Sequence, residues 1–301
     1  MYVRLLGFIA VSGMAFSLLS ACTTSGEPED IEVDRRFAWS SDLPESSSVG
    51  ANSSSSDAGK TVAVNSRMKE LFDWETVPAG RAVINSVKFD FESFAMTTTE
   101  VTQDAYAAVM GKLPQQPKEG DLYPVVNVSW FDAVLFCNAF SKLAGLDTVY
   151  TYTSIGDKNF LEGVSIDYSV RGIRLPTEIE WEIAAHGGTE TRFYWDTDKA
   201  VNYAYYGQSK GPEEVAKFIA NAYGFYDMAG NAAEWVNDWY AIFPTKDQSN
   251  YAGPSQGTLR VLRGGGWSDA IKDCAPDVRE KKDPLYTAMT VGFRVVYTDG
   301  F

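Results

Sequence analysis

A short group of oxygen donors, Gly230-Asn231-Ala232-Ala233-Glu234, lies inside the stretch YGFYDMAGNAAEWVNDW from Tyr223 to Trp239. Glycine costs order in helix and strand alike, and Asn and Asp favour turns. The stretch is therefore expected to be a compact, irregular loop whose aromatic side chains form its own core. Such a loop can turn backbone carbonyls and the Glu234 carboxylate towards one point, the oxygen set that a hard cation such as Ca²⁺ takes. A tight turn in which Glu234 only accepts backbone N–H bonds has the same spacing. The residues alone do not choose between the two.

Sulfur and imidazole are scarce. The chain holds three cysteines, Cys22, Cys137 and Cys274, and one histidine, His186. A single imidazole cannot make a two-histidine, one-carboxylate iron site. His186 falls at the end of an expected helix, where the dipole favours a cation, and is read as a surface cap. No Ser/His/Asp set has a motif around it. Arg263-Gly264-Gly265-Gly266 lacks the strand-to-helix setting of a phosphate loop. Glu178 and Glu182 are read as a solvated helix face, not as a glycosidase pair.

Several elements must position these groups. Residues 74–97 alternate apolar and polar around Val77, Val83, Val87, Phe89, Phe91 and Phe94, which predicts short strands. Thr102 is placed to cap a helix carrying Tyr106, Val109 and Met110 and closed by Gly111. Ser129 with Asp132 starts a second helix, which puts Ala133, Cys137, Phe140 and Ala144 on one face and ends at Gly145. Cys137 thus lies in an apolar stripe and is expected to be a buried, inert thiol. Thr177 and Glu180 form a capping box for a third helix, with Trp181, Ala184 and Ala185 inward and Gly187-Gly188 as the stop. Tyr150 to Arg171 reads as a hairpin-like insert. Beyond residue 190 come glycine- and aromatic-rich loops, then two strand-like pieces, Leu259–Leu262 and Gly292–Tyr297.

The N-terminal part is of another kind. Arg4 precedes an apolar run from Leu5 to Leu19, which is short for a membrane span, and the run ends in Leu19-Ser20-Ala21-Cys22. This resembles a bacterial lipoprotein signal, with residues 1–21 removed and Cys22 acylated. Lipid on Cys22 would hold the protein to a membrane surface. Thr23 follows rather than Asp, which in a Gram-negative envelope points to the outer membrane. Residues 22–72 are Ser- and acid-rich with few apolar side chains, as expected of a flexible tether. Phe37 and Trp39 stand out in it as a short docking element or as isolated aromatics without a specific role. The remainder, residues 73–301, is expected to be one folded domain. A formal net charge of -14 over 301 residues argues against nucleic acid, which needs a basic face.

Six segments in fixed order resemble the formylglycine-generating enzyme and sulfatase-modifying factor family. They are Thr99-Glu100-Val101-Thr102, Pro124 to Ala133 (PVVNVSWFDA), Arg174 to Glu182 (RLPTEIEWE), the Gly230-Asn231 and Glu234-Trp235 stretch, Arg260 to Trp267 (RVLRGGGW) and Gly292-Phe293-Arg294. Together they span residues 74–297. The resemblance implies an α+β fold of C-type-lectin type, with two short helices, small sheets and much irregular loop stabilised by Ca²⁺. It implies one calcium site from the carbonyls of Ala229, Gly230 and Ala232 with the Glu234 carboxylate. Asn202 and Tyr203 match part of a second, but Gly207-Gln208-Ser209-Lys210 stands where a further Asp is needed.

Oxidases of the family hold copper between two cysteines five positions apart and convert a peptidyl cysteine to formylglycine. Here Asp269 stands in the first position and Cys274 in the second. A carboxylate is too hard to replace a thiolate on Cu(I). Neither copper nor iron is therefore expected. Two cysteines are too few for a disulfide framework, and pairing of Cys137 with Cys274 in an oxidising envelope stays open. The expectation is a calcium-stabilised envelope lipoprotein, non-catalytic, that presents its domain to an unidentified protein or glycan partner. The alternative is a metal-dependent oxidase working with Cys274. Tyr203, Tyr205, Tyr206, Trp235, Trp239 and Trp267 are the aromatics available to a glycan.

Overall fold

The computed structural model describes residues 37–40, 64–195 and 197–300. Cys22 and the signal-like segment lie outside the described residues. Strand β1 (Phe37–Ser40) pairs antiparallel with the domain, so these residues, read as part of the tether, belong to a sheet. A one-turn helix α1 (Ser66–Lys69) follows, its Asn65 side chain accepting the Met68 N–H at 3.0 Å. Met68 is fully buried in the main core. Packing thus begins upstream of residue 73, the boundary expected from apolar density, because one capped methionine does there what a longer apolar run does elsewhere.

Four strands come next: β2 (Trp74–Val77), β3 (Gly80–Ile84), β4 (Val87–Phe91) and β5 (Phe94–Thr97). In β4 the burial alternates as the period of two requires. Helix α2 (Gln103–Met110) is capped by Thr102 and closed by Gly111 in the left-handed conformation. Helix α3 (Trp130–Leu143) has the Ser129/Asp132 capping box, and Cys137 is fully buried on it. Four two-residue strands make up the insert: β6 (Tyr150–Thr151), β7 (Ser154–Ile155), β8 (Leu161–Glu162) and β9 (Ser165–Ile166). Then come β10 (Gly172–Arg174) and helix α4 (Glu178–His186), with the Thr177/Glu180 box in place. The three helices expected from the caps at Thr102, Ser129 and Thr177 are all present, one more than the two that the family resemblance implied.

The last strands are β11 (Ala233–Trp239), β12 (Gln248–Ser249), β13 (Arg260–Arg263), β14 (Glu280–Lys282), β15 (Val291–Phe293) and β16 (Val296–Thr298). Strand β11 corrects the reading of 223–239 as loop throughout. Its first half is irregular, but Ala233 onwards is a strand with neighbours on both sides, β13 antiparallel and β15 parallel. Six of those seven residues are buried, on both faces and without alternation, so no period of two could mark them. Three four-stranded sheets run β1-β3-β4-β12, β10-β16-β5-β2 and β14-β13-β11-β15. One apolar core joins α2 and α3 to Trp235 and Phe293, and a second places Ile179, Trp181 and Ile183 of α4 against Phe89 and Phe94. A third, smaller one holds Trp195, Ala229 and Cys274.

Candidate functional site

The Gly230-Asn231 turn joins several segments. Gly230 has φ +86°, and a Cβ there would lie 2.2 Å from the Tyr205 carbonyl oxygen, so only glycine fits. Its N–H donates to the Gly264 carbonyl, and the Asn231 N–H to that of Tyr205, both at 2.8 Å. Asn231 Oδ1 accepts the Glu213 N–H at 2.9 Å, and its carbonyl accepts the Trp267 N–H at 2.8 Å. Ala229 and Ala232 are fully buried beside it.

Glu234 follows on β11 with no exposed surface. Its carboxylate accepts from Arg294 Nε at 2.8 and 2.9 Å, from Arg294 Nη2 at 2.8 Å and from Trp181 Nε1 at 2.7 Å. Its partners are side chains, not the backbone N–H groups of a simple turn. Two further carboxylates, unmarked by spacing, share this interior. Ala232 donates its N–H to Glu100 Oε1 at 3.3 Å, while Glu100 Oε2 is buried without a hydrogen-bond partner. Asp227 accepts the Ala216 N–H at 2.8 Å. Burial, and then the Asp227 charge, pushes the Glu100 carboxyl well above its usual range. Burial lifts Asp227 to about 6 against the opposing pull of Arg294.

Among the described residues no three His, Cys, Asp or Glu side chains converge as a ligand set on their own. Oxygen for a cation would have to come from carbonyls together with carboxylates. Arg294 is the guanidinium that faces all three carboxyls of this interior, Glu100, Asp227 and Glu234. An orphaned Glu100 oxygen and a hard-oxygen donor set fit a divalent cation such as Ca²⁺. The other pair lies nearby in the chain but is differently engaged. The Asn202 carbonyl accepts the Ile219 N–H at 3.0 Å, and that of Tyr203 accepts the Tyr194 hydroxyl at 3.2 Å.

The sulfur position is closed. Cys274 ends a short 3₁₀ turn (Ile271–Cys274), is fully buried, and donates its S–H to the Ala270 carbonyl at 3.5 Å. Burial, with the Asp269 and Asp273 charges behind it, pushes the thiol up to about 12. Asp269 Oδ2 accepts the Gly266 N–H at 2.8 Å, as a turn residue does. Cys137 is also a free thiol, sits in a different core and is raised by burial, so the two cysteines are neither paired nor neighbours. A cavity of about 300 Å³ opens beside Cys274, lined in part by Arg263, Gly265, Asp269, Asp273, Arg279 and Glu280.

Two surface readings are corrected. Glu178 and Glu182 are buried: Arg263 bonds Glu178 at 3.1 Å and Glu182 at 2.5 Å, and Arg279 grips Glu178 at 2.5 and 2.6 Å. Their partners come from a strand and loop roughly a hundred residues away, which no local pattern reveals. His186 is buried too, and burial, then the Arg263 charge, lowers it to about 4, so it is a neutral interior imidazole. Of the aromatics, Trp235 is fully buried, with its indole N–H on the Val128 carbonyl. Trp239 and Trp130 hold the Arg260 guanidinium between them at 3.3 and 3.7 Å. Tyr203 stacks on Trp195, while Tyr205, half-buried, leans on Phe218. Tyr206 and Trp267 also keep part of their surface exposed.

Comparison with known proteins gives a consistent answer. A sequence profile of the sulfatase-modifying factor enzyme 1-like domain matches residues 59–299. A chaperone protein, LppX, of Paenibacillus barcinonensis is 31% identical over 236 residues, which is 65% of this chain and 77% of that protein. The formylglycine-generating enzyme of Mus musculus is 29% identical over 192 residues, 57% of this chain but only 43% of the enzyme. Among solved structures, Treponema denticola variable protein 1 superposes with a TM-score of 0.69 at 32% identity, covering 80% of this chain and 99% of that one.

Proposed function

Because the chain belongs to the sulfatase-modifying factor enzyme 1-like family, we propose that it has kept the family's frame without its copper chemistry. In this reading it is a calcium-stabilised envelope lipoprotein whose domain engages a protein or glycan partner. The observation that carries the reading is the state of Cys274: one sulfur, fully buried, with a thiol pushed up to about 12 and a carboxylate where a second thiolate is needed. Cu(I) needs soft ligands, and a thiol so hard to ionise is a poor one. The likeness to a protein named as a chaperone supports a role exercised through contact with another polypeptide.

Calcium in this reading binds beside the Gly230-Asn231 turn. Carbonyls of Ala229, Gly230 and Ala232 and the carboxylates of Glu100 and Asp227 supply oxygens, and Glu234 holds the surroundings through Arg294 and Trp181. The cation would neutralise the buried negative charge and fix the turn. Glycan contact would fall to the aromatics that keep some exposure, Tyr203, Tyr205, Tyr206, Trp239 and Trp267. Lipid on Cys22 would supply the membrane attachment.

Metal content is the first test. The purified protein is offered Cu(I), Fe(II) and Ca²⁺ under reducing conditions, dialysed and analysed. Calcium near one per chain, with no copper retained, is the expected result. Stoichiometric copper lost in Cys274→Ser, together with O₂ consumption on cysteine peptides, would overturn the reading in favour of an oxidase.

A further inference from the structure

Strand β1 is set apart from every other strand by where it comes from. It pairs antiparallel with β3 over four residues, Phe37 opposite Ile84 through Ser40 opposite Arg81. It lies upstream of residues 59–299, the part that matches the family domain. The opposite edge of the same sheet is closed from within the domain, by β12 beside β4. Among the described residues, the β3 edge is closed by chain from outside it. An open edge strand presents a row of unpaired N–H and C=O groups to any extended segment.

We infer that the β3 edge is a strand-acceptor site, and that its occupant is the chain's own upstream segment, Phe37–Ser40, acting as a strap. Residues 41–63, a Ser-rich run of sequence, join the strap to the domain.

Disulfide trapping in the full chain tests the strap independently of lipid. Ala38 faces Val83, and Trp39 faces Ala82. Adjacent antiparallel pairs alternate between wide and close spacing, so one of the two is of the closer class that a disulfide bridges readily. The double variants A38C/V83C and W39C/A82C are oxidised mildly and digested without reduction. The expected result is a link within one chain, in at least one pair, at least tenfold above A38C/K88C, since Lys88 lies on the far side of β3. The second arm leaves the domain untouched. Proline at both Phe37 and Ala38 removes a ladder N–H whichever of the two faces β3. It should speed hydrogen exchange of β3 amides at least tenfold and leave β13 unchanged. No trapping above the control, exchange indifferent to the prolines, or links between two chains would each overturn the assignment, the last in favour of a second copy's strand.

Discussion

Replacing Glu234 with Ala is the sharpest test of how the buried centre is held. The change removes four hydrogen bonds, three from Arg294 and one from Trp181. Arg294 is left fully buried, with only the carbonyls of Thr97, Thr98 and Tyr226 to accept from it. Breaking one side of a buried pair strands the other charge and costs about 3–5 kcal/mol. That is a large part of the 5–15 kcal/mol by which whole domains are stable. For a domain above 200 residues it lowers Tm by roughly 6–20 °C.

Urea unfolding of the wild type and of Glu234→Ala, each with excess Ca²⁺ and with EGTA, separates the two roles open to this carboxylate. If it serves Arg294, the loss is nearly the same in both conditions, and Glu234→Gln, which keeps a hydrogen-bonding oxygen, loses less. If it serves chiefly as a calcium ligand, the penalty appears only with Ca²⁺, because ligand stabilisation needs ligand. A loss below about 1 kcal/mol in EGTA, well short of the cost of stranding a buried charge, would refute the reasoning.

Glu178→Gln should cost about 3 kcal/mol or more in urea unfolding, since it takes the carboxylate from Arg279 and one of two from the buried Arg263, which keeps Glu182. Glu280→Gln, which breaks only the partly exposed Lys282 pair, should stay within about 1 kcal/mol of wild type. Gly230→Ala puts a Cβ at 2.2 Å from the Tyr205 carbonyl in a left-handed backbone, and should lower stability by about 2–4 kcal/mol while lowering calcium affinity. His186 is held near 4 when folded but titrates at its ordinary value when unfolded. The unfolded state therefore takes its proton first, and stability should fall as pH drops from about 6.5 to 4, by up to about 3 kcal/mol. In His186→Gln that part of the slope should disappear from denaturation curves measured across the same range.

What was legible in the sequence was whatever is written locally. The Ser129/Asp132 and Thr177/Glu180 boxes mark their helices because both halves of each cap lie within one turn. Cys137 reads as buried because its neighbours at helical spacing are apolar. The Asp269 and Cys274 spacing exposes the missing thiolate without any coordinates. What stayed hidden is what the fold brings from afar. Glu178, Glu182 and His186 look like surface residues until β13 and Arg279 are placed against α4. Glu100 and Asp227 join the Glu234 interior from segments more than a hundred residues apart in sequence. Strand β11 was missed for another reason: it is covered on both faces, so its residues carry no alternation.

The same long-range pairs explain how the frame can stand without the chemistry. Four of the six family-like segments supply buried ion pairs: Arg174 with Glu180 inside one segment, and Arg263 with Glu178 and Glu182 and Arg294 with Glu234 between segments. Helix α4 bonds to β13 through the second and to β11 through the Trp181 bond to Glu234. Removing any of these groups leaves a charge in the interior, so the motifs are tied to folding itself. Asp269 is outside that set. It makes turn bonds to Gly266, and its carbonyl accepts the Gly207 N–H. A thiolate or a carboxylate there asks nothing of the three pairs. The frame thus constrains the arginines and glutamates strongly and position 269 hardly at all. For that reason the motif match fixes the family of this chain, while position 269 must be read separately to ask what the chain can do.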